Sequence, residues 1–422
     1  MRPRSLLVMS TVESQEAGTP MRPLFRTRSL LLLAMLGLLL ISSCTKPENN
    51  ALYDPNASYN PPPTITGISP TGSAVAGIDT LIIQGTNFST TLAENSVYFN
   101  ASPAILLNST TTQIKLIAPL VPSDSIGVRV AVLGALQFTN MAQYKLKAAV
   151  AAFGGLLAND TSTSLAIDAS GNLYYAYLSH AIEAGISKVT PAGVRSSYAP
   201  ATAGVSQWTG LKMGPSSYLY AARNFRALYR FAPGGGASAA LWLAFPVGTA
   251  IADIDFDQSG NAWGGGNNSN IYRIDQSKVI TTFPFVGNVH SVRVYNGYLY
   301  FSAKTDAGEK IWRASISSSG LGTPELYFDF ASVYPTNVPL SITFASDGTM
   351  YVGTDAPDGL LIVYSNKTYS APFSIYKASF GTGLGYLAWG NADDLYASTS
   401  NGILLKFTIR GKTSAPYYGS KL

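Results

Sequence analysis

The chain has 422 residues, of which 46% are hydrophobic and only 12% are charged, and its formal net charge is +5. This length allows two or three domains with substantial cores, and 39 glycines with 25 tyrosines favour short strands and tight turns over a helical bundle. Because the sequence holds one cysteine, an intramolecular disulfide is excluded and the fold must be stabilised by packing.

Residues 1–43 have the pattern of a secretory signal peptide. Three arginines that follow Met21 precede an apolar run of twelve residues, Leu30–Ile41. This run is shorter than the roughly 20 residues that a membrane-spanning helix needs. Because the signal is complete from Met21 onward, we expect translation to start there and residues 1–20 to be an upstream extension.

The residues Ile41-Ser42-Ser43-Cys44 resemble the lipobox of bacterial lipoproteins. The resemblance implies cleavage before Cys44 and acylation of its thiol, which would hold the protein on a membrane of the bacterial envelope, in our interpretation the outer membrane. The alternative is an ordinary signal peptide followed by a chance cysteine. Removal of the signal takes away five arginines and two glutamates and lowers the net charge to +2, so no electrostatic footprint for nucleic acid remains.

Two segments follow the lipidation site. Residues 44–63 are polar and proline-rich and predict a flexible tether. Residues 64–147 alternate apolar and polar positions between turn signals, which predicts a small β-sandwich. The alternating positions are Leu81 and Ile83, Val97 and Phe99, Ile114 and Leu116, and Val128, Val130 and Val132.

The predicted sandwich resembles the IPT/TIG immunoglobulin-like family along its whole length. Asn100-Ala101 departs from the family, which usually has a glycine at this turn. The resemblance implies a spacer or interaction module and transfers no catalytic residue to this chain. The matching residues are Ile65, Ile68, Pro70 and Gly72, and the runs Leu81–Phe88, Val97–Phe99, Ile114–Pro119 and Gly127–Val132.

From residue 148 onward, a short aromatic strand recurs six times at spacings of 37 to 51 residues. A turn such as Asp168-Ala169-Ser170-Gly171 precedes the strand, and a further strand that ends in a basic residue follows it in five copies. A unit of about 45 residues with four short strands is typical of a propeller blade. The aromatic strands are Leu173–Ala176, Leu219–Ala222, Ala262–Gly265, Leu299–Ser302, Met350–Gly353 and Leu395–Ser398.

These six units resemble the six-bladed NHL/gluconolactonase-like β-propellers, and the D-x-x-G-x-x-Y hairpin carries the resemblance. The predicted fold is therefore all-β, with the sandwich at residues 64–147 followed by a six-bladed propeller at residues 148–422. The last blade lacks a fourth strand. We expect residues 148–153 to supply it and close the ring, and residues 414–419 are the alternative.

Signatures of catalysis and metal binding are sparse. The two histidines, His180 and His290, fall on opposite predicted blades, so we interpret them as unrelated surface residues and expect no metal and no cofactor. The resemblance to gluconolactonases implies an acidic calcium ligand at the start of the first blade, but the strand predicted to begin at Thr163 has no carboxylate there. No G-x-S-x-G elbow is present either. These features argue against an enzyme.

The predicted inner strands of the six blades align on paired apolar positions. Strand alternation turns the residue between each pair to the opposite face, next to the central channel. Either Asp255 neutralises Lys212 and Arg293 in a structural network, or these three charges form a site for an anion or a carboxylate ligand. The intervening residues are Ala166, Lys212, Asp255, Arg293, Thr343 and Ala388.

A tether, a spacer and a propeller together predict that the propeller is displayed as a working head. The favoured function is a binding or scaffolding lipoprotein that engages a glycan or a protein. Trp208, Tyr334 and Tyr386 are candidates for stacking on sugars, and packing between blades is their alternative role. The alternative function is a propeller hydrolase or lyase acting at the channel mouth, and a purely structural role in envelope assembly stays open.

Overall fold

Strands make up nearly all regular structure in the computed structural model, which describes residues 58–399 and 401–415. The predicted fold class is confirmed, because a β-sandwich is followed by the sheets of a β-propeller. No helix in these ranges is long and apolar enough to cross a membrane. The helical segments there are short 3₁₀ turns at Leu92–Glu94, Pro215–Ser217, Phe330–Ser332 and Pro372–Ser379.

The sandwich consists of two sheets, and its strands bury alternate residues. Leu81, Ile83 and Val128 point between the sheets and have no exposed surface, as the alternation predicts. The strands are β1 Thr64–Ser69, β2 Ser73–Val75, β3 Thr80–Thr86, β4 Asn95–Phe99, β5 Ser102–Pro103, β6 Ile105–Ser109, β7 Gln113–Ile117, β8 Ser123–Val132 and β9 Ala142–Lys147. One sheet has the order β1-β3-β7-β6 and the other β2-β9-β8-β4-β5.

The propeller strands follow directly after the sandwich. They are β10 Val150–Phe153, β11 Asp160–Ile167, β12 Leu173–Ser179, β13 Ile182–Val189, β14 Arg195–Ala199, β15 Gly210–Met213, β16 Leu219–Ala222, β17 Ala227–Phe231, β18 Ala240–Ala244, β19 Asp253–Phe256, β20 Ala262–Gly265, β21 Asn267–Ile274, β22 Ile280–Tyr295, β23 Tyr298–Thr305, β24 Gly308–Ser317, β25 Gly320–Leu321, β26 Glu325–Phe328, β27 Pro339–Phe344, β28 Met350–Thr354, β29 Leu360–Val363, β30 Tyr369–Ser370, β31 Leu384–Trp389, β32 Asp394–Thr399 and β33 Leu404–Thr408. Three sheets are runs of four consecutive antiparallel strands, β11–β14, β15–β18 and β27–β30.

A single long strand joins two four-stranded units into one sheet. β22 pairs with β21 through its first part and with β23 through its second part, so β19–β26 form one eight-stranded sheet. The sequence predicts separate strands here. Between Lys278 and Asn296 no residue adopts a positive φ, and the backbone therefore runs on without the left-handed turn that interrupts other connections, as at Gly204 and Gly248.

The ring is closed by a strand from its amino-terminal side. β10 pairs antiparallel with β33, with Val150 opposite Phe407 and Phe153 opposite Leu404, in the sheet β10-β33-β32-β31. This pairing confirms the predicted closing strand. In the alternative segment, of which residues 414 and 415 are described, Ser414 forms an isolated bridge to Ala345.

The recurring D-x-x-G turn is held by its own aspartate. Asp168 accepts hydrogen bonds from the backbone amides of Ser170 and Asn172 and from the Tyr174 hydroxyl, at 2.9 Å each. Asp257 does the same in its unit, where Trp263 Nε1 is the aromatic donor at 2.9 Å. The motif therefore fixes the turn and the first aromatic residue of the next strand together.

The inner strands begin at one end of the channel, called the upper end here, and finish at the lower end. β33 runs in the same direction as the inner strand β31, because the strand between them is antiparallel to both. Its lower end leads to Arg410, which pairs with Asp79 of the sandwich at 2.7 Å. The Tyr376 hydroxyl adds a 2.7 Å hydrogen bond to the Ala76 carbonyl. The contact through Arg410 therefore lies at the lower end.

Candidate functional site

The lower end of the channel holds the charged residues predicted from strand alternation. All six intervening residues line one small cavity of about 20 Å³, called the floor cavity. The structure thus brings Lys212, Asp255 and Arg293 together, near the ends of β15 and β19 and within β22. Ala166, Thr343 and Ala388 complete the level.

The buried ion pair at the floor differs from the one expected. Arg293 Nη1 lies 3.0 Å from Asp253 Oδ2, whereas strand alternation predicts Asp255 as the partner of this cation. The same Asp253 oxygen accepts hydrogen bonds from Ser291 Oγ at 2.9 Å and from the Val292 amide at 3.0 Å. Asp253 precedes Asp255 by two residues and so faces the same side, and the stagger between β19 and β22 selects it.

Burial disfavours the charged forms of the other two groups, Asp255 and Lys212. Burial raises the pKa of Asp255, although Lys212, Arg293 and the Val294 amide at 2.8 Å oppose the rise. Burial, helped by the charge of Arg293, lowers the pKa of Lys212 to about 8. No described acidic residue lies within ion-pair distance of Lys212, so its ammonium group is compensated only at longer range.

The size of the floor restricts what it can hold. A second cavity of about 10 Å³, lined by Asp253, Ser291 and Arg293, lies directly above it. Each space has room for roughly one water molecule. A sugar acid does not fit, so the geometry supports the structural network among the two interpretations, with Asp253 as the partner of Arg293.

The upper end of the channel opens into a larger space, called the mouth cavity, of about 260 Å³. Thr209, Ala252, Leu340 and Gly385 border it where inner strands begin, and Tyr386 reaches both this cavity and the one below. The mouth and the Arg410 contact with the sandwich therefore lie at opposite ends of the inner strands.

His290 belongs to this mouth, which corrects its interpretation as a surface residue. Its side chain is 17% exposed, lines the mouth cavity, and places Nε2 3.0 Å from Glu309 Oε2. Glu309 is itself buried at the start of β24. A carboxylate that holds one imidazole nitrogen fixes the ring and leaves the other nitrogen for a ligand. His180 is exposed in the turn between β12 and β13, as expected.

The three aromatic candidates for sugar stacking differ in burial and in position. Trp208 is fully buried between the sheets β11–β14 and β15–β18, so packing is its role. Tyr334 is half-buried and donates its hydroxyl to Asp358 at 2.5 Å. Only Tyr386 lines the mouth cavity. Burial and the nearby Asp253 raise the pKa of Tyr386 to about 12, so its hydroxyl stays a neutral hydrogen-bond donor.

Two asparagines give the mouth further polar character. Asn224 and Asn288 line the cavity, and their side-chain amides form no hydrogen bond within the described part of the chain. The same holds for the Tyr386 hydroxyl. Asn224 follows β16, whereas Asn288 and Tyr386 lie within β22 and β31, so no shared sequence position marks these residues and only the ring brings them together.

The side chains that could bind a metal ion are scattered over the described residues. No three side chains of His, Cys, Asp or Glu gather in a group that could hold an ion. The first inner strand begins at Asp160, three residues earlier than predicted, so a carboxylate does stand at its start. Asp160 Oδ2 lies 3.7 Å from Arg195 Nη2, and Asp160 lines a separate groove rather than the mouth cavity. Cys44 lies outside the described residues.

The sandwich is similar to a known domain family. The sequence profile of the IPT/TIG domain matches residues 63–146, which confirms the resemblance seen in the sequence. No curated protein sequence matches the chain significantly.

Solved structures with a similar fold share little sequence with the chain. A Bacteroides thetaiotaomicron protein determined at 1.77 Å resolution is 12% identical, with 82% of this chain and 97% of its own covered and a TM-score of 0.54. An auxiliary nutrient binding protein from the same organism is 12% identical, with 84% and 98% covered and a TM-score of 0.46. A Xanthomonas campestris gluconolactonase is 12% identical, with 59% and 86% covered and a TM-score of 0.47. At such identities the likeness shows the fold alone.

Proposed function

We propose that the protein is an exported lipoprotein of the bacterial cell envelope, anchored at the outer membrane through Cys44, whose six-bladed propeller binds a glycan at the mouth of its channel. The mouth cavity carries this proposal. It has a larger volume than the two cavities below it, and it lies away from the contact between Arg410 and the sandwich.

The chemistry of the mouth suits a polyhydroxylated ligand. The amides of Asn224 and Asn288 each offer donors and an acceptor, and the Tyr386 hydroxyl offers one donor. Because sugar hydroxyl groups both donate and accept hydrogen bonds, these side chains can bind them. The tyrosine ring adds an apolar surface for a sugar face. A volume of about 260 Å³ lies just below the range of roughly 300–1,000 Å³ typical of ligand pockets, which favours a small ligand.

Glycan-array binding of the purified protein, followed by calorimetry with the best ligand, tests this function. We expect Tyr386→Phe to weaken binding about two- to tenfold, the effect of one hydrogen bond. Tyr369→Phe is the matched control, because Tyr369 is 52% exposed and lies outside the mouth cavity. Equal affinity of both variants and the native protein, or binding to a protein partner alone, would contradict glycan capture at the mouth.

The lipid anchor is tested separately. In cells fed an alkyne-tagged fatty acid, the native protein should acquire the label and Cys44→Ala should not. A labelled Cys44→Ala protein would refute acylation at this cysteine. Deletion of residues 1–20 should leave export unchanged if translation starts at Met21.

The pair His290–Glu309 favours one alternative function, a hydrolase or lyase acting at the channel mouth. An imidazole oriented by a buried carboxylate can take a proton from a bound substrate. Turnover of lactones and of uronic-acid-containing glycans, followed with native protein and His290→Gln, tests it. Turnover that His290→Gln abolishes without loss of binding would make the protein an enzyme.

A further inference from the structure

The described chain enters the sandwich at its end farthest from the propeller. Asn60 donates its backbone amide to the Gly134 carbonyl at 2.8 Å and its side-chain amide to the Leu133 carbonyl at 3.0 Å. Both acceptors follow β8 directly. β9, which comes next, runs toward Lys147 and the first propeller strand, so this loop lies at the opposite end of the sandwich.

The loop that receives Asn60, residues 133–141, is called the tip loop. It exposes large apolar side chains: Leu133 is 70% exposed, Leu136 64% and Phe138 52%. Leu92 is a further exposed residue nearby, because the Leu133 amide bonds to the Glu94 carbonyl two residues after it. Exposed apolar residues gathered in this way mark interaction surfaces more often than single ones do.

The tip loop is fixed in place rather than loosely attached. Thr139 exchanges two hydrogen bonds of 2.9 Å with the Val130 backbone, one through its hydroxyl and one through its amide. The Asn140 side chain bonds both the amide and the carbonyl of Ile65. These hydrogen bonds fix the backbone of the tip loop, so its apolar side chains are exposed in the folded protein.

We infer that the tip loop contacts the surface of the lipid bilayer. The inference rests on the proposed anchor at Cys44, which stands sixteen residues before Asn60, so the lipid lies within at most about 55 Å of the tip along the chain. An acyl chain and a second, weaker contact together hold a protein on a membrane better than one alone. The apolar side chains of the tip supply that second contact, and the propeller points away from the bilayer.

The test uses the chain from Cys44 onward, which keeps every described residue, coupled through its only thiol to a maleimide lipid in phosphatidylcholine vesicles. Chemical coupling makes the result independent of acylation in cells, so failure of the anchor and failure of the tip contact are separate outcomes. Amide hydrogen exchange is compared with that of the same protein whose Cys44 carries a small maleimide.

We expect the tip loop to exchange several-fold more slowly on vesicles, while peptides around Val247 stay unchanged. Val247 is the matched control, because it is an apolar residue of the propeller and is 85% exposed. Leu136→Ser should remove most of the protection, and Val247→Ser should leave it intact.

Three results would overturn the inference. The first is equal exchange of the tip loop on and off vesicles. The second is equal protection around Val247, which would show unspecific adsorption. The third is protection of the tip loop in the capped protein at high concentration without vesicles, which would assign the tip to a second copy of the chain.

Discussion

Replacement of Asp253 by alanine should be among the most destabilising single changes in the channel. Its carboxylate accepts hydrogen bonds from Ser291, Val292 and Arg293 through one oxygen and from the Ile254 amide through the other. Alanine removes both acceptor oxygens and so all four hydrogen bonds. It also leaves the Arg293 guanidinium, whose side chain is 11% exposed, without its counter-charge.

The magnitude follows from the loss of a buried partner. Breaking a buried ion pair on one side costs about 3–5 kcal/mol, because the remaining charge stays desolvated. The double variant Asp253→Ala/Arg293→Met removes both charges and should cost less than Asp253→Ala alone. Asp255→Ala is the matched control and should also cost less, because burial already raises the pKa of this carboxyl and so weakens its charged form.

Urea unfolding at pH 7, followed by tryptophan fluorescence, measures these differences. The five tryptophans belong to the propeller part of the sequence, so the signal reports on the ring. The assignment of Asp253 as the partner of Arg293 is wrong if Asp253→Ala lowers the unfolding free energy by less than about 1 kcal/mol. It is also wrong if Asp255→Ala lowers the unfolding free energy more than Asp253→Ala does.

Three further changes probe other parts of the fold. Lys212→Met should raise the unfolding free energy at pH 7 by about 1–3 kcal/mol, because it removes the cost of holding a charged ammonium group in a largely buried site. Partial contact of Lys212 with water keeps this cost moderate. In the native protein stability should rise between pH 8 and 10.5, because the unfolded state there still binds the proton that folded Lys212 has released, and pH-dependent urea curves of both proteins check this. Tyr376→Phe removes the hydroxyl bound to the Ala76 carbonyl and should cost about 1 kcal/mol, seen as faster proteolysis between sandwich and propeller. Phe153→Ala removes a ring 4.8 Å from that of Tyr396 and should cost about 2 kcal/mol in thermal unfolding, as a loosened ring closure.

Strand alternation explains why the level of the channel charges could be predicted from the sequence. A period of two depends only on which residues are apolar, so Lys212, Asp255 and Arg293 could be assigned to one face without coordinates. The choice between Asp253 and Asp255 could not. Both occupy the same face of β19, and the stagger of a neighbouring strand decides which one meets Arg293.

The mouth was beyond sequence reasoning for a related reason. His290 and Glu309 meet because a bulge between Val289 and Ser291 shifts the register of β22 against β23. Neither strand shows this irregularity in its composition. For Trp208 the sequence left sugar stacking and packing between blades open, and only the neighbouring sheets, which bury the side chain completely, decide for packing.

The way the ring closes also decides how the protein carries mechanical load. Only two residues separate β9 from β10, so a pull on the sandwich reaches β10 almost at once and shears it along β33. The contacts of Asp79 with Arg410 and of Ala76 with Tyr376 run parallel to that route and join the sandwich to the rest of the propeller. Drag on the propeller is thereby divided between the closing strand and the domain contact. The pairing of β10 with β33 therefore bears only part of the force.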